Sequence, residues 1–204
     1  MAEINNTEQD ILDAAEKLFL RKGFALTSTT EIAREAGCNQ ALVHYYYRTK
    51  ERLFTRIFQQ KMYLFLAHFI DGSRKNMPFE TKIRKMAEAH FNMLIKNQQL
   101  PFFIFTELIL NEGRLNILMD SLDENYEEVY RIFNDELQEE IRKGHIREMT
   151  FLDILLVIVS LNGMLFMLNP ILRKGFTGTG DNYREFINHR REENLRIILQ
   201  SLKP

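Results

Sequence analysis

The chain has 204 residues, of which 45% are hydrophobic and 27% are charged, and its formal net charge is -1. These values are ordinary for a folded chain, and they exclude a disordered segment and a uniformly basic nucleic-acid binder. Cys38 is the only cysteine, which excludes an intramolecular disulfide framework and a zinc site made from a cysteine cluster. The N-terminal residues show no basic region followed by an apolar run, so we predict no secretory signal and expect a cytoplasmic protein.

Apolar residues recur at helical spacing along almost the whole chain, which predicts an all-α fold of about nine helices. The first helix is predicted over about 8–22, with Thr7 as its N-cap and Gly23 as the residue that ends it. A short second helix follows, because Ser28 and Glu31 have the spacing of a capping box.

The next helices follow in the same way. Asn39 caps a third helix over about 40–46, and Thr49 caps a long fourth helix that reaches about residue 70. Arg173–Asn182 contains three glycines and is predicted to be a flexible loop. Further helices are predicted at about 79–97, 101–118, 121–144, 150–168 and 182–202.

Thr29–Tyr47 carries the strongest functional signal in the sequence. Two short amphipathic helices flank a turn with Gly37, as in a helix-turn-helix, whose second helix enters the major groove of DNA. Between residues 36 and 61, five cations stand against one acid, Glu51, and such a local patch favours contact with phosphates. A plain helical hairpin with a solvated basic face fits the same pattern, and the spacing alone leaves both interpretations open.

The stretch Ile11–Phe54 resembles the DNA-binding domain of the tetracycline-repressor (TetR) family of bacterial transcription regulators. The resemblance rests on Ala14-Ala15, Leu18-Phe19, Lys22-Gly23-Phe24, Thr29-Thr30, Ala36-Gly37, Tyr46-Tyr47 and Thr49-Lys50-Glu51. It implies an N-terminal three-helix helix-turn-helix DNA-binding domain over 1–50. A long helix then joins this head to a C-terminal helical ligand-binding and dimerisation domain over 51–204. It further implies DNA contacts by Thr29, Thr30, Asn39, Gln40, Ala41, His44, Tyr45, Tyr46 and Lys50.

The rest of the chain is rich in aromatic and methionine residues, which fit either a helix-packing core or the wall of an apolar pocket. The resemblance implies a pocket for a small-molecule inducer. Its candidate residues are His90, Phe103, Glu107, Asn111, Tyr126, Tyr130 and Asn162. Glu107 lies inside the apolar run 101–110, where it is either a surface residue or a group that receives a cationic or hydroxylated ligand.

Residues 154–172 carry no charge and are almost long enough to span a membrane. Ser160, Asn162, Gly163 and Pro170 interrupt the run, so we favour a helix that is buried on nearly every side and expect no membrane segment. The resemblance implies that the last two helices form a homodimer interface, and packing within one chain is the alternative. The candidate interface residues are Ser160, Gly163, Met167, Leu195, Ile198, Leu199 and Leu202.

The sequence shows no paired metal-binding histidines, no Gly-rich phosphate loop and no nucleophile elbow, so we expect no enzyme, no cofactor and no metal site. The resemblance implies a ligand-responsive transcriptional repressor that binds an inverted-repeat DNA operator as a homodimer and leaves it when an inducer binds. The alternative is a helical small-molecule-binding or interaction protein without specific DNA binding. A single-span membrane protein is a third, weaker hypothesis.

Overall fold

The computed structural model describes residues 2–71, 77–116, 124–177 and 181–204. Every regular element in these ranges is helical, which confirms the predicted all-α fold class. The helices are α1 (Ala2–Lys22), α2 (Thr29–Glu35), α3 (Gln40–Tyr47), α4 (Lys50–Asp71), α5 (Phe79–Lys96), α6 (Leu100–Leu110), α7 (Glu124–Arg142), α8 (Phe151–Met167), α9 (Asn169–Leu172) and α10 (Asp181–Ser201). A single π-helical turn, Arg173–Thr177, follows α9.

The N-terminal caps predicted for α2 and α3 are both present. The Ser28 hydroxyl accepts the N–H of Glu31 at 3.2 Å, and the Glu31 carboxylate accepts the N–H of Ser28 at 3.0 Å. Asn39 accepts the N–H of Leu42 at 3.0 Å. Gly37, with a φ of 68°, supplies the left-handed backbone between the two helices. These local bonds fix where α2 and α3 begin.

Three predicted boundaries differ from the structure. Helix α1 begins at Ala2 rather than at residue 8, because the residues before Thr7 continue the helix and Thr7 is not its cap. Helix α6 ends at Leu110 rather than at residue 118, because Asn111 and Glu112 are not helical. Residues 113–116 are helical again, and 117–118 lie outside the described residues. The predicted loop 173–182 begins instead with the π-helical turn, and α10 starts within it.

The chain divides into two compact units. The first comprises 1–63 and 102–121, and the second comprises 64–101 and 122–204. This division differs from the predicted boundary after residue 50, because most of α4 and the residues after Pro101 belong with the N-terminal helices. The first unit has an aromatic core in which neighbouring rings lie 5.0 to 6.2 Å apart. Its rings are Phe19, Phe24, Phe54, Phe58 and Phe103.

The second unit packs α5, α7, α8 and α10 around a separate apolar core. Its fully buried members include Ile83, Met86, Phe133, Leu137, Phe151, Ile154, Ile158 and Ile198. Within the described ranges, no single helix is both long and apolar enough to cross a membrane. Helix α8 together with Asn169–Gly175 reaches the required length and composition, but the two parts meet at a bend of 51°.

Candidate functional site

The outward face of α3 presents small and polar side chains. Val43 and Tyr47 point inward and are only 2% and 6% exposed, whereas Tyr45 on the other side is 75% exposed. This alternation follows from the helical spacing, because residues four apart share a face. The exposed set is Asn39, Gln40, Ala41, His44 and Tyr45, with Tyr46 half-buried beside it. The structure therefore places the side chains that we predict to contact bases together on one accessible surface.

Gln40 is the centre of a hydrogen-bond network on this face. Its Nε2 donates to the Thr29 hydroxyl at 2.9 Å, and its Oε1 accepts the Thr30 hydroxyl at 3.2 Å. The same Nε2 lies 3.4 Å from His44 Nε2, and His44 Nδ1 lies 3.1 Å from the carbonyl oxygen of Arg48. Because a carbonyl only accepts, this arrangement puts the His44 proton on Nδ1 and leaves Nε2 as an acceptor. A base contact by Gln40 would therefore replace internal hydrogen bonds.

Arg48 joins α3 to α4 in a strained conformation. Its φ is 59° and its ψ is -49°, and the N–H of Thr49 donates to the carbonyl of Tyr47 at 2.6 Å. These values describe a γ-turn of the rare kind, which costs energy in any residue that has a Cβ atom. The Arg48 side chain is exposed.

Lys50, the first residue of α4, holds the turn between α1 and α2. Its ammonium donates to the carbonyls of Phe24 at 3.0 Å and Thr27 at 2.9 Å, and it lies 4.1 Å from the centre of the Phe24 ring. An ammonium has three N–H groups, so one is left for a phosphate. The phosphate contact implied for Lys50 stays a prediction, and the observed contacts add a second role, which is to fix the turn.

Glu107 of α6 holds the same turn from another side. Its carboxylate is only 5% exposed and accepts the N–H of Phe24 at 3.1 Å and the side-chain amide of Asn111 at 3.1 Å. Arg114 Nε lies 3.8 Å from this carboxylate, and its guanidinium lies 4.1 Å from the centre of the Phe54 ring. Burial lowers the pKa of Arg114, and the charge of Glu107 opposes that shift. These contacts account for an acid within an apolar run without a ligand.

The basic patch is narrower than the sequence count indicates. Arg56 pairs with Glu8 at 2.9 Å and Lys61 pairs with Glu16 at 2.5 Å, and both acids lie on α1. Arg48 and Arg52 are exposed, and no carboxylate of the described residues forms an ion pair with either. The acids were overlooked because they are 45 or more residues away in sequence.

The predicted ligand residues fall into both units. Phe103, Glu107 and Asn111 belong to the first unit, and His90, Tyr130 and Asn162 belong to the second. Phe103 packs in the aromatic core, and Tyr130 is 40% exposed with its ring 5.5 Å from that of Phe151. The side chain of Tyr126 lies outside the described residues. Their roles in ligand binding stay predictions.

His90 and Asn162 meet in a buried polar network within the second unit. Asn162 donates to the carbonyl of Ala87 at 3.2 Å and lies 3.4 Å from His90 Nδ1. Its own carbonyl oxygen accepts the side-chain amide of Asn194 at 3.0 Å, and Asn194 also donates to the carbonyl of Leu161 at 3.0 Å. The network joins α5, α8 and α10. Sequence reasoning missed Asn194, because it stands in a polar segment where one more asparagine carries no signal.

Helix α8 leaves an apolar strip exposed. Leu152, Leu156 and Met164 are 55%, 57% and 52% exposed, and with the exposed Ser160 they follow one another at intervals of four residues. Of the residues predicted for a dimer interface, Gly163, Ile198 and Leu202 are instead buried within their own unit, whereas Met167, Leu195 and Leu199 are half-buried. The apolar spacing alone did not distinguish the inward side of the helix from the outward side.

A cleft of about 380 Å³ in the second unit was not predicted from the sequence. Its lining includes Ile95 and Gln98 near the end of α5, Arg173 of the π-helical turn, and residues of the first half of α10. None of the residues predicted to bind a ligand lines it. The lining residues are far apart in sequence, so no local pattern marks them. In the described part of the chain, no group of three or more His, Cys, Asp or Glu side chains could hold a metal ion.

Comparison with known proteins agrees with this geometry. The family model for "Bacterial regulatory proteins, tetR family" matches residues 11–57, which contain α2 and α3, the second half of α1 and the first eight residues of α4. The chain is 25% identical over 138 residues to the fatty acid metabolism regulator protein of Bacillus subtilis, covering 68% of this chain and 70% of that protein. It is also 25% identical over 126 residues to the regulator QacR of Staphylococcus aureus, covering 62% and 57%.

Solved structures show the same fold along nearly the full chain. A TetR family transcription regulator from Marinobacter aquaeolei has a TM-score of 0.71 at 16% identity, with 97% of this chain and 96% of that chain covered. The fatty acid degradation regulator FadR from Bacillus halodurans has a TM-score of 0.63 at 20% identity, with 94% and 93% covered. The helix-turn-helix geometry agrees with the matched region, and residues 11–57 form a helix-turn-helix domain of the tetR family of bacterial regulatory proteins.

Proposed function

We propose that this regulator is a repressor that binds an inverted-repeat operator as a homodimer and leaves it when a small-molecule inducer binds. The observation that carries the proposal is the accessible face of α3, from Asn39 to Tyr45, which follows a capped helix-turn-helix. Operator DNA lies in the cytoplasm, so the proposal also places the protein there.

Base reading would come from Gln40 and its neighbours. A glutamine amide can form two hydrogen bonds with adenine, and the methyl group of Ala41 can contact thymine. Because Gln40 is bonded to Thr29 and Thr30 in the free protein, its net gain on adenine is smaller than that of an unbonded side chain. The two threonines, once released, can turn their hydroxyl groups to a phosphate.

The apolar strip of α8 supports a dimer. Leu152, Leu156 and Met164 are each more than half exposed, and a contiguous apolar strip of this kind marks an interaction surface. A second copy of the chain is the proposed partner, since a two-fold axis beside α8 would bring each strip against its equivalent. Two heads would then occupy half-sites one helical turn apart, about 34–36 Å between recognition helices.

Release by an inducer would act through helices that continue from one unit into the other. Helix α4 begins in the first unit at Lys50 and passes the boundary at residue 63, and α6 carries Glu107. Both side chains bond to Phe24, so a shift of either helix would move the turn that precedes α2. An inducer that prefers another spacing of the heads would lower the population that fits the operator.

The test is selection of genomic fragments with the purified protein, followed by titration of the enriched duplex at rising salt. We expect an inverted repeat and an affinity that falls steeply with salt. Lys50→Ala should weaken binding to all duplexes alike, Gln40→Ala should change sequence preference by about 1–3 kcal/mol at one position, and Arg131→Ala on α7 is the control. No enriched fragment at low salt, from a folded dimer, would support the alternative of a ligand-binding protein that does not read DNA.

A further inference from the structure

The cleft of the second unit is built by three segments of the chain. The end of α5 supplies Ile95, the π-helical turn supplies Arg173, and α10 supplies Tyr183, Arg184 and Ile187. Its volume, about 380 Å³, lies within the range of small-molecule sites, which is roughly 300–1,000 Å³. The question is which chemistry its walls would recognise.

One wall of the cleft is apolar and held in place by hydrogen bonds. Tyr183 and Ile187 are each only 7% exposed, so their side chains are packed. The Tyr183 hydroxyl donates to the side-chain oxygen of Asn169, and Asn169 donates to Gln98 Oε1 at 2.6 Å. This chain of bonds joins α10 and the segment after α5, which both line the cleft, through Asn169 of α9.

The other wall carries two arginines. The Arg173 guanidinium lies 4.1 Å from the centre of the Tyr183 ring, and stacking on a ring leaves the N–H edges of a guanidinium able to donate. Arg184 is exposed at the same cleft. In the described part of the chain, no carboxylate forms an ion pair with either arginine. The cleft thus combines two positively charged side chains with the apolar wall.

We propose that this cleft binds a small organic carboxylate with an apolar tail. The carboxylate would accept hydrogen bonds from Arg173 and Arg184, because a guanidinium matches the planar geometry of a carboxylate. The tail would lie on Ile187 and on the half-buried Ile95, which line the same cleft. Binding at the cleft is independent of the DNA function, and only the role of the ligand as an inducer rests on the proposed function.

The experiment is isothermal titration calorimetry of the full chain with octanoate, and with 1-octanol and octylammonium as neutral and cationic probes of the same tail. We expect octanoate to bind at millimolar or tighter affinity and to bind at least tenfold more tightly than either other probe. Arg173→Gln and Arg184→Gln should each lower octanoate affinity about tenfold or more, while the control Arg131→Gln should leave it unchanged. Both arginines are exposed, so these variants should fold like the parent chain, which circular dichroism checks.

Any one of several calorimetric results would overturn the proposal. The first is the absence of octanoate binding up to about 5 mM, a Kd that corresponds to a binding free energy of about 3 kcal/mol. The others are equal binding of octanoate and 1-octanol, and an unchanged octanoate affinity in both arginine variants. If both variants instead turn a dimeric parent into a monomer in sedimentation, the cleft is a subunit contact and the proposal also fails. A failed operator search leaves the calorimetry intact, so the two proposals fail separately.

Discussion

Removing the carboxylate of Glu107 is expected to destabilise the first unit more than any surface change. In Glu107→Ala, the N–H of Phe24 loses its acceptor and the guanidinium of Arg114 loses its counter-charge. The side chain of Arg114 is only 13% exposed, so water replaces the lost partner poorly. The variant therefore leaves a nearly buried cation without its nearest carboxylate and a part-buried N–H without its acceptor.

The magnitude follows from those two losses. Breaking one side of a buried ion pair costs about 3–5 kcal/mol, and an unsatisfied buried donor costs about 1–3 kcal/mol. The pair is long, with 3.8 Å between Arg114 Nε and the carboxylate, and the two losses share one site and do not add fully. We expect a loss of about 3 kcal/mol, or a fall in Tm of roughly 6–12 °C for a chain of this size.

The assay is urea unfolding followed by circular dichroism, with hydrogen exchange of the Phe24 amide as a local readout. Glu107→Gln is the matched control, because its amide oxygen can still accept the N–H of Phe24 while the charge is gone. Glu107→Gln combined with Arg114→Met should lose about 1–2 kcal/mol less than the sum of the two single variants. The Phe24 amide should exchange faster in Glu107→Ala than in Glu107→Gln.

Two results would contradict this reasoning. One is a loss below about 1 kcal/mol for Glu107→Ala, which is the size of an ordinary surface substitution. The other is additivity of the Glu107→Gln and Arg114→Met losses within about 0.5 kcal/mol, because it would mean that the two side chains do not interact.

Three further predictions concern the turn, the cap and the dimer. Arg48→Gly should relieve about 1–3 kcal/mol of backbone strain and lose about 1 kcal/mol because glycine gives the unfolded chain more conformational entropy. Urea unfolding should therefore show equal or higher stability, and operator affinity should fall because a cation is lost. A lower stability of the variant would refute the strain. The Glu31 pKa is lowered to about 2 by hydrogen bonds from Lys22 and from the cap, so the stability it contributes is complete above its ordinary value of 4.5 and is lost as pH falls toward 2. Glu31→Gln should flatten that acid limb in pH-dependent unfolding, and an unchanged limb would exclude the carboxylate as its cause. Leu156→Glu should weaken a dimer about 100-fold in sedimentation, since burial of two symmetric leucines is worth about 3 kcal/mol. Leu26→Glu is the control and should have no effect, because Leu26 is exposed (72%) and lies outside the strip of α8.

Features that depend on hydrogen bonds between residues close in the sequence were predicted best. Ser28 with Glu31, and Asn39 with Leu42, make hydrogen bonds three residues apart, so a short window of sequence contains both partners. Helical spacing also explains the structure of α3, in which Val43 and Tyr47, four residues apart, share the buried face. These local features define where the two helices begin, but they do not distinguish a DNA-binding helix-turn-helix from a plain helical hairpin.

Contacts between residues that are far apart in the sequence were predicted poorly. Glu107 reaches the N–H of Phe24 across 83 residues, and the acids that pair with Arg56 and Lys61 lie on α1. Charge counting along the chain cannot see such pairs, so it overestimated the basic patch. The cleft was missed for the same reason, because α5, the π-helical turn and α10 meet only after folding.

The buried asparagines of the second unit have a consequence for how the chain assembles. Helices α8 and α10 contribute apolar side chains to one core, and apolar contacts specify the alignment of two helices less sharply than hydrogen bonds do when one helix is displaced by a turn, about 5.4 Å. A slide would separate Asn194 from Asn162 and strand two amides among hydrocarbon, at about 1–3 kcal/mol for each unsatisfied group. The hydrogen bond between the two asparagines therefore fixes the register of α10 against α8. The exposed leucines of α8 are therefore aligned relative to α10 by Asn162 and Asn194, which are themselves buried.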